Sequence, residues 1–325
     1  MTDSRSDTDN PSHGLTRSSG RTRTRTVTIC AFAAMLAGGL GLAAACGDPG
    51  GGGSDSSAQR AGSSARPQHK PSPSPTPIWD RKPESLAAVG DSITRGFDAC
   101  SVLADCVKVS WATGTEPEID SLASRLFDDP RGKSWNHAVS GAVIADLPDQ
   151  MRKAAASGPD MITVMSGAND ACRPSVGEMT PVEDFRASFR ESLRVLRTEQ
   201  PKTQVYVSSV PNLKRLWEQG RKNPIGHRIW NLGICQSMLK DPNAMDKAAQ
   251  DRRQQVYDRV VAYNSVLKEE CAKDLRCRYD NGAVFRFRFT GEQLSNWDWF
   301  HPSKKGQHSL AELAYREITS PRTAR

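Results

Sequence analysis

"LAAVGDSITRG", Leu86 to Gly96, begins as an apolar run and stops at Gly90, Asp91 and Ser92 before its polar continuation. Consecutive apolar residues ended by a turn signal read as a strand buried on both faces, the kind found in parallel sheets. A serine at the end of such a strand is either the N-cap of the next helix or a nucleophile held out to a substrate. What the rest of the chain supplies decides between the two.

The same pattern recurs downstream. "SLAAVG" (85–90), "SWNHAV" (134–139), "MITVMSG" (161–167), "QVYVSSV" (204–210) and "RCRYD" (276–280) read as strands. Amphipathic stretches at 118–128, 142–156, 181–199, 246–273 and 306–318 read as helices. In 181–199, Phe185, Phe189, Leu193 and Leu196 form one stripe, with Pro181 at the start and acidic residues early. Strand alternating with helix implies a parallel sheet covered on both faces, with its ligand crevice at the carboxyl ends of the strands. Two stretches fit less simply. Asn212 to Asn243, with Trp217, Trp230 and Cys235, is expected to be an irregular excursion pinned by a disulfide. "VFRFRF" (284–289) alternates as a half-exposed strand, with Arg286 and Arg288 on its solvated side.

The first eighty residues do not look globular. A basic flank, "RTRTRT", precedes the apolar run "VTICAFAAMLAGGLGLAAA", Val27 to Ala45, which reads as a secretory signal. "LAAAC", Leu42 to Cys46, resembles the lipobox of bacterial lipoproteins, in which the cysteine becomes the lipidated first residue, although Ala43 stands where leucine is usual. Ordinary cleavage near Ala45 and an uncleaved anchor are the alternatives, and all three put the remaining chain outside the cytoplasm. Residues 47–80 hold almost no large apolar side chains and read as a Gly/Ser/Pro-rich tether spanning roughly 30 Å. The net charge of +7 includes this lead and falls to +5 without residues 1–45, so a mildly basic, solvated surface is expected and no nucleic-acid partner.

Of the eight cysteines, Cys30 lies in the signal and Cys46 in the lipobox. Cys100, Cys106, Cys172, Cys235, Cys271 and Cys277 remain, an even number that suits three disulfides in an exported domain and permits fifteen connectivities. Pairing in sequence order is favoured, because Cys100 with Cys106 and Cys271 with Cys277 each close a short loop. No CxxC occurs, and no histidine is spaced around the cysteines as a zinc ligand would be.

The carboxyl ends of the predicted strands carry the chemistry. The first ends in Gly90-Asp91-Ser92, "VSGA" with Gly141 follows the second, and "SGAND" with Gly167, Asn169 and Asp170 follows the third. "NWDWFHPS", with Asp298 and His301, precedes the last helix. Other patterns fail: "GKS" at 132–134 has Phe127 where a phosphate loop requires glycine, "SMLK" at 237–240 lacks S-D-N and K-T-G, and no G-x-S-x-G elbow occurs.

With "GDSI", "SGA", "GAND" and "DWFH" in that order, the chain resembles the SGNH hydrolases, also called GDSL-type esterases and lipases. The resemblance covers essentially the whole part from residue 81 to 325, and the exported six-cysteine form is similar to the actinobacterial members. Each block alone is weak; all four in order, each after a predicted strand or before the last helix, are specific. The resemblance implies a three-layer α/β/α, flavodoxin-like fold with about five parallel strands.

It implies a mechanism as well. Ser92 is the nucleophile, His301 the base that takes its proton, and Asp298 the carboxylate that orients the imidazole. The backbone N–H groups of Ser92 and Gly141 and the side-chain amide of Asn169 form the oxyanion hole. Asp91 is expected to fix the turn and Asp170 to act as a turn or cap residue, while His137, His227 and His308 have no carboxylate at useful spacing in their own loops. The expected activity is hydrolysis of carboxylic esters of lipids or acylated carbohydrates through an acyl-serine intermediate, without metal or cofactor. The protein is expected to work as a monomer that touches the membrane only through its lipid or signal anchor. Trp111, Trp297 and Trp299 are expected to line a small pocket with short-acyl preference. The competing reading is a non-catalytic surface lipoprotein that keeps the fold and binds glycans.

Overall fold

Five strands, Leu86–Gly90 (β1), Ser134–Asn136 (β2), Met161–Met165 (β3), Gln204–Val207 (β4) and Cys277–Tyr279 (β5), form one parallel sheet in the order β2-β1-β3-β4-β5. They belong to a computed structural model that describes residues 79–321. The predicted signal, Cys46 and the tether up to residue 78 lie outside the described residues, as do residues 322–325. β1, β3 and β4 are buried throughout, which is why β1 and β3 are unbroken apolar or small-residue runs and β4 is apolar after Gln204, whereas the edge strands β2 and β5 are shorter and half-buried. All five predicted strands are present.

The helices are Ser92–Arg95 (α1), Leu122–Leu126 (α2), Leu147–Ala156 (α3), Ala168–Ala171 (α4), Val182–Glu199 (α5) and Leu213–Gly220 (α6). Pro224–Trp230 (α7), Gln236–Leu239 (α8), Lys247–Cys271 (α9), Ala283–Arg286 (α10) and Lys304–Thr319 (α11) complete them. Right-handed crossovers put α3, α5 and α9 on one face of the sheet, where each packs on the next. The β1-to-β2 connection runs the opposite way across the sheet, so α2 lies on the other face, packed against α11. The three layers predicted from the sequence are therefore present. Phe185 of α5 stacks on Tyr263 of α9 with ring centroids 4.1 Å apart, and Glu270 of α9 is drawn down to about 2 by Arg190, with Lys273 and Arg186 also on it. No helix among the described residues is long and apolar enough to cross a membrane.

Two stretches differ from the sequence reading. The segment 212–243 is helical, carrying α6, α7 and α8, because Asn212 and Asn223 cap the first two of these and Trp217 and Trp230 bury their rings in the core. Residues 284–289 form no strand. Asp280 accepts hydrogen bonds from the N–H groups of Gly282 and Val284, and Ser209 Oγ accepts from that of Phe285, so these donors go to α10 and its cap and are lost to any sheet ladder. Trp79 and Asp80, assigned by composition to the end of the tether, are bonded to the domain: the Trp79 indole donates to the Ile318 carbonyl, and the Asp80 N–H to Gln204.

The disulfides join Cys100–Cys106, Cys172–Cys235 and Cys271–Cys277, the sequential order. The second spans 63 residues and anchors the α6–α8 excursion beside α4, where Ser237 Oγ also donates to the Ala171 carbonyl. By loop-closure entropy a crosslink of that span contributes about 4 kcal/mol, and the two short loops about 2 kcal/mol each. The C172S/C235S double variant is expected to lose about 4 kcal/mol in chemical denaturation; a loss under about 1 kcal/mol would show that the excursion holds itself in place.

Candidate active site

At the end of β1, Gly90 adopts φ +141°, and a Cβ there would stand 2.0 Å from the Met165 carbonyl oxygen on β3. Only glycine lets the two strands run together this far. Asp91 then caps α1, its Oδ1 accepting from the N–H of Ile93 at 3.0 Å, and Ser92 begins the helix with only 8 % of its surface exposed. Cap and serine are thus separate residues. The N-cap reading belongs to Asp91, and Ser92 is left with another partner.

That partner is His301, whose Nε2 lies 2.8 Å from Ser92 Oγ. Its Nδ1 lies 2.5 Å from Asp298 Oδ2, while Asp298 Oδ1 accepts from the N–H groups of Phe300 and His301 at 2.8 and 2.9 Å. The three-residue spacing now has a physical reason: one oxygen of Asp298 folds the chain into a turn and leaves the other against the imidazole. The rings of Phe97 and Phe300 stand 5.0 and 5.1 Å from that of His301. Burial opposes charge on both partners, but their mutual hydrogen bond and attraction prevail. Asp298 is held below the usual carboxylate range and His301 above the usual imidazole value. Burial, with the charge of Asp170 adding to it, pushes Asp91 up to about 7. A hydroxyl, an imidazole and a carboxylate in this chain can move the serine proton onto the ring as the oxygen attacks a carbonyl.

Two more sheet-edge groups complete the frame. Gly141, in the loop after β2, adopts φ +83°, and a Cβ there would meet nothing within 4 Å. Glycine is needed there for its left-handed backbone, and the open side leaves its surroundings accessible. Asn169, on α4 after β3, donates one amide hydrogen to the Ala142 carbonyl at 2.9 Å, which holds that loop and leaves the other hydrogen for a ligand. Asp170 is structural: its carboxylate accepts from Ile144 N–H and Thr180 Oγ1.

The family model for GDSL-like Lipase/Acylhydrolase matches residues 86–314. The chain belongs to that family. It is therefore a carboxylic ester hydrolase. Similar solved structures include an acetylxylan esterase from Geobacillus stearothermophilus, solved as a catalytic mutant, at 18% identity over 73% of this chain and 94% of that one, TM-score 0.45. An extracellular lipase from Streptomyces rimosus matches at 16% identity over 73% and 100%, TM-score 0.45. Phospholipase A1 from Streptomyces albidoflavus matches at 19% identity over 73% and 100%, TM-score 0.42. No curated protein sequence matches.

The GDSL-like hydrolase frame relies on residues that sequence reading missed. Gly90 N–H, at the end of β1, donates to Gln150 Oε1 of α3 at 2.7 Å. Gln307 of α11, fully buried, donates to the Ile93 carbonyl and accepts from Trp111 N–H, both at 2.9 Å, tying the helix after His301 to the turn of Ser92. A lone glutamine on the apolar face of α11 was the readable sign. Trp230 donates from Nε1 to the Asp298 carbonyl at 2.9 Å, and Gly220 makes room for its ring.

Of the three tryptophans expected around the pocket, Trp111 is fully buried and bonded to Thr94, because its indole fills the core beside α1. Trp299 packs on Gly226 and Gly291, while Trp297 is 48 % exposed. His137 meets Ser157, His227 the Arg221 carbonyl and His308 the Ile119 carbonyl, so each is engaged away from Ser92.

Proposed function

We propose that this hydrolase cleaves esters through an acyl-serine intermediate, with Ser92 as nucleophile, His301 as general base and then acid, and Asp298 as the carboxylate that fixes and stabilises the imidazolium. The observation that carries the reading is the unbroken path from Ser92 Oγ to His301 at 2.8 Å and from His301 to Asp298 at 2.5 Å. In the first half-reaction the serine oxygen attacks the carbonyl, His301 Nε2 takes its proton and returns it to the leaving alcohol. In the second, water attacks the acyl-enzyme by the same proton route. The developing oxyanion is met by the N–H groups of Ser92 and Gly141 and the second amide hydrogen of Asn169, donors that act without reorganisation because their loops are already held.

The substrate is an ester of a lipid or of an acylated carbohydrate. The apolar segment ending at Cys46 and the three disulfides support export, with residues 1–46 as a lipoprotein signal, 47–80 as a tether and 81–325 as the catalytic domain. All three triad residues come from one chain, which supports action as a monomer.

Hydrolysis of p-nitrophenyl acetate, butyrate and laurate by the purified protein tests the reading. The expected order places acetate or butyrate ahead of laurate. Faster cleavage of the C12 ester than of the C2 ester would overturn the short-acyl preference, and folded, oxidised protein inert toward all three would overturn the general esterase reading.

A further inference from the structure

A second buried carboxyl stands against the triad. One side-chain atom each of Asp98, Asp298 and His301 lies within 4.8 Å of the other two, and Asp98 and Asp298 are each only 2 % exposed. Three of the four acceptor places on Asp298 are filled, by His301 Nδ1 and by the N–H groups of Phe300 and His301. The Asp98 carboxyl stands beside the remaining one, within 4.8 Å. Two buried carboxyls this close resist both being anions, so one of them keeps a proton to higher pH than a free carboxyl would.

The fold holds Asp98 in that place. It adopts φ +55°, a left-handed conformation that aspartate tolerates better than most residues. Its N–H donates to the Ala104 carbonyl, its carbonyl accepts from Ser295 Oγ at 2.6 Å, and its Oδ1 accepts from Leu103 N–H. The Cys100–Cys106 disulfide closes this loop, and Ser295 in turn donates its N–H to the His301 carbonyl, so one bracket holds Asp98 and the histidine loop together. Asp105, on the same loop, is paired with Arg95.

We infer that Asp98 is a positioning residue of the hydrolytic site: its carboxyl shares one proton with the carboxylate of Asp298, and thereby holds that carboxylate on His301 and makes the base answer to a third titrating group. The inference rests on the triad reading above. Burial, together with the neighbouring Asp298 carboxyl, pushes Asp98 up to about 6, and the charged groups facing it are Asp298 and His301, with Asp91 acting on His301 from the turn after β1. When Asp98 loses the shared proton, its charge strengthens the hold on the imidazolium, so His301 gives up its own proton less readily. Loss of one proton thus opposes loss of the other, and the two ionisations spread into a curve broader than a single titration.

The experiment is an NMR titration of the His301 imidazole in ¹⁵N-histidine-labelled full chain in detergent, for the native protein, Asp98→Asn and Asp98→Ser, beside the pH profile of kcat/KM. Asparagine keeps a donor for Asp298 but cannot ionise. The native protein is expected to titrate broadly, and both variants as a single proton with a midpoint at lower pH, with the acid limb of kcat/KM moving the same way. Native and variant curves that superimpose would overturn the inference, as would a variant rate that falls equally at every pH. Since the imidazole signal does not depend on turnover, an enzyme inert toward esters would count against the triad reading and leave this test readable. The serine variant covers the case in which asparagine does not fold.

Discussion

Ser92→Ala and His301→Ala are each expected to lower kcat/KM on p-nitrophenyl butyrate by about 10⁴- to 10⁶-fold, and the double variant to be no slower than the worse of the two. The reason lies in the single hydrogen bond between them: the hydroxyl at 2.8 Å from Nε2 is a nucleophile only while the ring can take its proton. Without either partner the remaining rate comes from the oxyanion donors and binding, which act independently of the triad. The fold should persist in Ser92→Ala, because Asp91 and not Ser92 caps α1, and removal of one hydroxyl is expected to alter stability by about 1 kcal/mol or less. Steady-state kinetics with a thermal melt of each variant checks both statements. A well-folded variant retaining more than about a tenth of the native rate would exclude that residue from the reaction.

Asp298→Asn is expected to cost about 10⁴-fold in kcat while leaving the protein folded. The turn selects which way the new amide faces. Its carbonyl oxygen must still accept from the Phe300 and His301 N–H groups, so its NH₂ is turned toward His301 Nδ1. A donor there forces Nδ1 to accept and moves the ring proton to Nε2, the atom that should receive the serine proton. The imidazole ¹⁵N spectrum would show the exchanged tautomer, and kinetics the lost turnover. A rate within tenfold of native would mean that Asp298 orients the ring only by its backbone turn. The contrast with Asp98→Asn is diagnostic, since that change keeps the tautomer and moves the pH dependence.

Much of the site was legible because its parts are local. Gly90-Asp91-Ser92 ends a buried strand, Asp298 and His301 lie three apart, and the Gly141 and Asn169 blocks follow strands of the same sheet. A parallel sheet brings strand ends to one edge, so order along the chain becomes proximity in space. Gln150, Gln307, Trp230 and Asp98 were not legible, because each acts on a partner 60 or more residues away through one hydrogen bond or contact that leaves no spacing to read. Trp111 misled for a related reason: an aromatic residue looks alike in sequence whether it walls a pocket or fills a core, and only packing put it at 0 % exposure.

By itself the sequence determined the alternation of buried strands and amphipathic helices, hence the layered parallel sheet, and the residue types at its carboxyl edge. Tertiary structure alone decided which groups touch. It gave the cap of α1 to Asp91 so that Ser92 was left for His301, and it folded 212–243 into helices whose Trp230 holds Asp298. It also set Asp98 against the triad. Periodicity records which face of an element is buried, whereas a hydrogen bond between distant segments depends on distances that exist only after the layers have packed.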